Sequence, residues 1–236
     1  MKVAVIGGGN IGGAIALGSV KCGAVSPWDI IISDPQARQQ ELFAGSGIKV
    51  ISDNVGAIAG ADFIIIAVKP WLMEDVLSGI APHVDRNSQA IVSIAAGISF
   101  EKLRGYAGED KYGAVARFRV IPNPAISLGR SATFIASCGA PEAKCAELKE
   151  FFAATGQVYE IEERLMSAVT SLASSGIAYA LKYIDSSVRG AEEMGICRDE
   201  ALSIVMQTVR GALALLEANG SQPQEEIDKV TTPNGV

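Results

Sequence analysis

Histidine is all but missing from this chain, with His83 its one example in 236 residues. It follows Pro82 in a stretch expected to link a helix to the next strand, at the end of the sheet away from any ligand. Chemistry built on a histidine base is therefore disfavoured. Cysteine is sparse too: Cys22, Cys138, Cys145 and Cys197 show no C-x-x-C spacing. That excludes a zinc site or redox pair of ordinary spacing and reads as reduced, buried thiols in a cytoplasmic protein. Charged residues make up 19%, the formal net charge is −6, and no basic cluster interrupts the acidic balance. Nucleic acid is thus not an expected partner. No apolar run approaches the length that spans a bilayer, and the chain opens directly on a strand with no room for a signal peptide, so no membrane partner is expected. At 49% hydrophobic residues, the sequence is too apolar for a disordered protein.

What is present is organised around the first 34 residues. Lys2-Val-Ala-Val-Ile6 runs into Gly7-Gly-Gly-Asn-Ile-Gly12, and Ile15, Ala16 and Leu17 follow at helical spacing. In a G-x-G-x-x-G between strand and helix, Gly7 makes the tight turn, Gly9 leaves room for a pyrophosphate and Gly12 lets helix and strand pack closely. The helix N-terminus offers unpaired N–H groups to an anion. A second strand, Asp29 to Ile32, ends at Ser33 and Asp34, 22 residues beyond Gly12, where an acid that reads a ribose is expected. Cofactor choice stays open between NADP and NAD. Asp34 suits the 2′-hydroxyl of NAD, whereas Ser33 with Arg38 suits a 2′-phosphate.

The alternation continues with a helix from Pro35 through Phe43, strands at Ile48–Ile51, Asp62–Val68 and Gln89–Ala95, and a helix from Trp71 to Ile80. Asp53 with Asn54, and Ser99 with Glu101, are placed to cap short helices. Tyr112–Ile121 and Ala132–Ser137 are further strand candidates, followed by a helix from Pro141 to Ala154 and a strand at Gly156–Glu160. Ligands of open α/β sheets bind at the carboxyl ends of the strands. That directs attention to Gly7–Gly12, Ser33–Asp34, Ala67–Pro70, Ala95–Gly97 and Pro122–Ala125. From Glu162 the pattern is helical only. Leu165, Val169, Leu172, Ile177, Leu181, Ile184, Val188 and Ala191 recur at three- and four-residue steps with one slip at Ser174–Gly176. Asp199 is expected to cap a second helix ended by Gly220, and Pro223 to start a third. The fold class is α/β: a Rossmann-type doubly wound sheet over residues 1–161, then an all-α domain over 162–236. A helical unit this small has difficulty burying its own apolar faces, so a homodimer is expected.

Several stretches in order carry a resemblance to the pyrroline-5-carboxylate reductase family. They are Ile6–Gly12, Ala67-Val-Lys-Pro70, Ser93–Gly97, Arg119-Val-Ile-Pro-Asn123, Ala173–Tyr179 and Val230-Thr-Thr-Pro-Asn-Gly235. The resemblance implies reduction of 1-pyrroline-5-carboxylate to L-proline with NADP or NAD, in dimers, interlocked by the helical domain, that assemble further. It places Gly7, Gly9, Asn10, Ile11 and Gly12 at the pyrophosphate, and Ala67, Lys69 and Pro70 at the ribose. Ala95, Ala96, Gly97 and Asn123 fall near the nicotinamide. Thr231, Thr232, Asn234 and Gly235 fall on the loop for the substrate carboxylate, with Thr232 the candidate catalytic residue. No metal is implied.

Three departures accompany it. Ile121-Pro-Asn-Pro-Ala125 stands where the family has Met-Pro-Asn-Thr-Pro, and Ser174-Ser-Gly-Ile-Ala-Tyr179 where it has Gly-Ser-Gly-Pro-Ala-Tyr. The family's next threonine would follow Val236, which implies either a chain trimmed at its C-terminus or one without that donor. Two other readings stay open: a different Rossmann-plus-helical oxidoreductase, such as the deazaflavin-dependent NADP reductases, and a non-catalytic dinucleotide-binding regulator.

Overall fold

The structure, a computed structural model, describes residues 1–36 and 41–231. Its centre is an eight-stranded sheet of order β3-β2-β1-β4-β5-β6-β7-β8. The strands are β1 (Val3–Ile6), β2 (Ile30–Ser33), β3 (Lys49–Ile51), β4 (Phe63–Ile66), β5 (Ala90–Ser93), β6 (Ala116–Ile121), β7 (Ser131–Cys138) and β8 (Gly156–Glu160). Strands β1 to β6 are mutually parallel; β7 runs antiparallel to β6, and β8 runs parallel to β7. Every residue of β1, β4 and β5 is buried. Such continuous burial is why these strands read as unbroken apolar runs without alternation. Ala4, Ile6, Ile64, Ile66 and Ile91 face one core layer, while Val3, Val5, Phe63, Ile65 and Val92 face the other. Each large side chain so buried contributes roughly 1.5–3 kcal/mol.

The helices that matter for the ligand edge are α1 (Asn10–Lys21), α2 (Asn54–Ile58), α3 (Met73–Ile80), α4 (Phe100–Tyr106) and α5 (Glu142–Ala153). Two expected caps form: Asp53 Oδ1 accepts from Val55 N at 3.0 Å, and Ser99 Oγ from Lys102 N at 3.3 Å. The strand expected from Tyr112 starts only at Ala116. Glu109–Tyr112 is a helical turn that stops at Gly113, whose φ of +92° no L side chain favours. Glu109 then reaches back to form a buried ion pair with Arg117 on β6. Of the helix expected from Pro35 through Phe43, residues 37–40 lie outside the described residues, Glu41 and Leu42 are helical, and Phe43 is already in a turn. The cysteines correct another expectation: Cys22, Cys138 and Cys145 are only half-buried and Cys197 is exposed. His83 is exposed beside Pro82, as its position after a helix anticipated.

The chain divides into two compact units, Met1–Ser175 and Gly176–Val236. The stretch after β8 stays with the first unit because Met166 and Val169 join its core and Glu163 is tied to it twice. Glu163 Oε1 accepts from Phe100 N at 2.6 Å and from Arg119 Nη1 at 2.9 Å. The slip in the apolar periodicity is real: Thr170–Ser174 is a π-helical turn before α6 (Gly176–Glu193).

In the second unit, α6 is followed by α7 (Arg198–Asn219) and α8 (Pro223–Val230). Asp199 lies inside the first turn of α7, and the cap is Cys197, whose extended backbone ends the preceding loop. Gly220, at φ +61°, ends α7 as expected. Against expectation, α7 is long and apolar enough to cross a membrane by length and composition alone, and only 6% of that stretch is buried. Its apolar positions are spread along 22 residues between charged ones, so they do not read as one run. Lys229 at 2.6 Å, with Ser221 and Asn219, holds the Glu226 carboxyl at about 2, well below the usual carboxylate range, and so fastens α8 to the end of α7.

Candidate functional site

Because β1, β2, β4, β5 and β6 are parallel, the segments after them all leave the sheet at one edge. Those segments are the five singled out in the sequence. Neighbouring strand ends are tied by backbone bonds: Gly7 N to Ser33 O at 2.8 Å, Ala67 N to Ile6 O at 2.8 Å and Ile94 N to Ile66 O at 3.1 Å. The edge is thus set by main-chain geometry before any side chain acts.

The glycine loop is built as its residue types require. A Cβ at Gly7, where φ is +101°, would stand 2.7 Å from Ala67 O, and one at Gly12 would stand 2.0 Å from Gly7 O and 3.0 Å from Ala67 Cβ. Neither position admits a side chain without moving backbone. A Cβ at Gly9 would meet no protein atom within 4 Å. Gly9 caps α1, whose first turn carries no acidic residue, and Gly9 and Asn10 are exposed while Ile11 is half-buried. Open space, N–H groups without a side-chain cap and a first helical turn free of acidic residues fit the pyrophosphate of a dinucleotide.

At the next strand end, Ser33 and Asp34 separate in role. Ser33 is 1% exposed and its hydroxyl donates to Asn54 Oδ1 at 2.7 Å, tying β2 to the start of α2. The hydroxyl of Ser33 is thereby engaged within the fold. Asp34 is half-buried and faces the glycine loop: Oδ2 accepts from Gly8 N at 2.8 Å and Oδ1 from Gln36 N at 2.9 Å. Arg38 lies outside the described residues.

Past β4, Ala67 and Val68 are half-buried, and Lys69 and Pro70 are exposed at the start of a 3-10 turn, Pro70–Leu72, that leads into α3. Among the described residues Lys69 forms no ion pair. Trp71, read from the sequence only as a helix start, is 75% exposed beside it. After β5, Ala95 is buried, whereas Ala96 and Gly97 are open to solvent, Gly97 at φ +77°. After β6, Asn123 is buried and caps the turn Pro124–Leu128: Oδ1 accepts from Ala125 N at 3.1 Å, while its own N–H donates to Ser131 Oγ at 3.2 Å. That turn packs on α1, where a Cβ at Gly18 would stand 2.5 Å from Ile126 O. Thr231 is exposed, its hydroxyl bonded to Ile227 O at 2.8 Å, and Thr232, Asn234 and Gly235 lie outside the described residues.

Sequence reading missed the partner of Ser33. Asn54 was visible only as a helix-capping candidate, and nothing in the pattern foretold that it reaches β2. A separate cleft of about 660 Å3, lined by Phe100, Cys138, Lys149, Glu160 and Leu165 among others, lies where Cys138 pairs with Arg117 near the amino end of β6. None of the five segments lines it. Among the described residues no group of three His, Cys, Asp or Glu side chains is arranged to hold a metal ion.

Comparison with known proteins supports two halves of one architecture. Residues 2–97 match the family described as NADP oxidoreductase, coenzyme F420-dependent, and residues 163–236 match pyrroline-5-carboxylate reductase dimerisation. The chain is 35% identical over 237 residues to a pyrroline-5-carboxylate reductase of Methanosarcina acetivorans, covering 99% of this chain and 86% of that one. A solved 1-pyrroline-5-carboxylate reductase from Streptococcus pyogenes superposes with a TM-score of 0.87 at 28% identity, over 100% of this chain and 87% of the other. The fold also matches a Plasmodium falciparum pyrroline carboxylate reductase with NADP bound, at a TM-score of 0.90 and 23% identity, over 100% and 86%. With the glycine loop, the order of segments along the ligand edge and these whole-length likenesses all agreeing, the chain belongs to the pyrroline-5-carboxylate reductase family.

Proposed function

We propose that this protein reduces the C=N bond of 1-pyrroline-5-carboxylate to give L-proline, the last step of proline synthesis. The observation that carries the reading is the glycine loop, wedged against Ala67 and open at Gly9, at the edge where four further strand ends emerge. A bound NAD(P)H supplies the hydride. The chain's task is to hold and orient. In this reading Gly7, Gly9, Asn10, Ile11 and Gly12 cradle the pyrophosphate, and Asp34, Ala67, Lys69 and Pro70 border the adenosine ribose. Ala95, Ala96, Gly97 and Asn123 border the nicotinamide. Asn123 and Gly97 are suited to this because the capped turn holds its backbone in place and the open space at Gly97 lets a flat ring approach.

A cyclic imine is basic enough to take its proton from water, so a site without histidine suffices, and positioning supplies most of the catalysis. In this reading Thr231, Thr232, Asn234 and Gly235 hold the substrate carboxylate, with Thr232 the catalytic residue. The helical part from residue 162 onward, whose first turns pack with the sheet unit, pairs two copies into a homodimer that works in the cytoplasm. Exposed Leu172, Tyr179, Leu181 and Leu213 in this single chain support such pairing. The test is consumption of NADH and NADPH on adding pyrroline-5-carboxylate, with L-proline identified as product. Oxidation of the nucleotide with stoichiometric proline is expected; tight nucleotide binding without any proline would sink the assignment.

A further inference from the structure

We propose that Asp34 sets the coenzyme preference of this chain and makes it choose NADH over NADPH. The inference rests on the dinucleotide reading above and goes beyond it by naming the residue that discriminates. A carboxylate at the end of the second strand lies where the adenosine ribose meets the glycine loop. Here it is fixed there: Gly8 N, on the loop itself, donates to Oδ2 at 2.8 Å and Gln36 N donates to Oδ1 at 2.9 Å. Swinging the group aside to admit another anion breaks two charge-assisted hydrogen bonds, one of them to the loop that holds the pyrophosphate.

Each carboxylate oxygen keeps a further lone pair, so both can still accept from ribose hydroxyls. A 2′-hydroxyl offers such a donor, while an ionised 2′-phosphate offers only negative charge. Among the described residues the surroundings add no relief. Ser33, the neighbouring hydroxyl, is buried and committed to Asn54. At the end of adjacent β3 stands a second carboxylate, Asp53, its Oδ1 engaged by Val55 N. Between Lys21 and Lys49 the sequence contains a single basic residue, Arg38.

The test is equilibrium titration of the full chain, without substrate, by the fluorescence of each reduced nucleotide. NADH is expected to bind at least about tenfold more tightly than NADPH, since like charges brought together across a binding site cost more than a factor of this size. Asp34→Ser, which removes the charge, is expected to narrow or invert that ratio by about tenfold, chiefly through a gain for NADPH. Asp34→Asn, isosteric and uncharged, makes the same test should the serine variant fail to fold. Equal or tighter binding of NADPH by the unaltered protein, or a ratio unmoved in a folded Asp34 variant, overturns the proposal. Binding of neither nucleotide would overturn the dinucleotide site itself, whereas NADPH-favoured binding leaves that site standing.

Discussion

At the scale of single residues, glycines only two or three positions apart do opposite work. Gly12 and Gly7 leave no room for a side chain because of the protein, and Gly9 leaves room that only a ligand would fill. Gly12→Ala is therefore expected to destabilise the fold by at least 1–3 kcal/mol, roughly the cost of forced overpacking against backbone. Gly9→Ala is expected to leave stability within about 0.5 kcal/mol while weakening dinucleotide binding about tenfold or more. Thermal unfolding and nucleotide titration on the two variants separate these outcomes; a Gly9→Ala protein that binds normally would remove the pyrophosphate from this loop. The glycine loop was legible in the sequence because its three glycines answer to local geometry. The split between Ser33 and Asp34 was not. Which of two adjacent polar residues turns inward depends on where β2 ends and on Asn54, a residue 21 positions away that only folding brings to Ser33.

At the scale of elements, the join between the turn Glu109–Tyr112 and β6 rests on a charge pair. Arg117 and Glu109 are each more than nine-tenths buried, and Cys138 Sγ stands 3.4 Å from Arg117 Nη2. A buried pair of this kind is costly to halve, because the survivor keeps its desolvation and loses its partner. Glu109→Ala is expected to cost about 3–5 kcal/mol, against a much smaller loss for a paired replacement of Glu109 and Arg117 by apolar residues. Chemical denaturation of the single and double variants checks this, and an equal loss in both would show that the charges themselves are not what matters. The buried strands were legible because apolar runs bounded by glycine and proline admit few other readings. The turn at Glu109–Tyr112 was hidden: Tyr112 suits a strand locally, and the ion pair that holds the turn joins it to β6 across a change of element that no single period describes.

At the scale of the whole molecule, the helical unit explains an apparent contradiction. α7 has the length and composition of a membrane span and is almost unburied in one chain, yet it carries Arg198, Asp199, Glu200, Arg210 and Glu217. The proposed pairing with a second copy of the chain would account for both properties. Leu213, 55% exposed, then lies in an interface and not in solvent. Leu213→Asp is expected to shift a dimer toward monomer in sedimentation equilibrium and to make the unfolding temperature concentration-dependent over a lower range. A variant that sediments like the parent protein would place Leu213 outside the pairing surface. The exposed apolar face was legible as helical periodicity, but its membrane-like length was obscured by the charges that interrupt it.

The placement of Ala67 under the glycine loop has a consequence for synthesis. Gly7 and Gly12 emerge from the ribosome long before the strand that supports them, since β1 lies between β2 and β4 and its β4 partner begins only at Phe63. The pairing is non-local, and such contacts form late because loop closure precedes any gain from them. A nascent chain that ends before Ala67 therefore carries the whole G-x-G-x-x-G sequence without its floor, and the proposed nucleotide site is complete only when the fourth strand docks, not when the motif is translated.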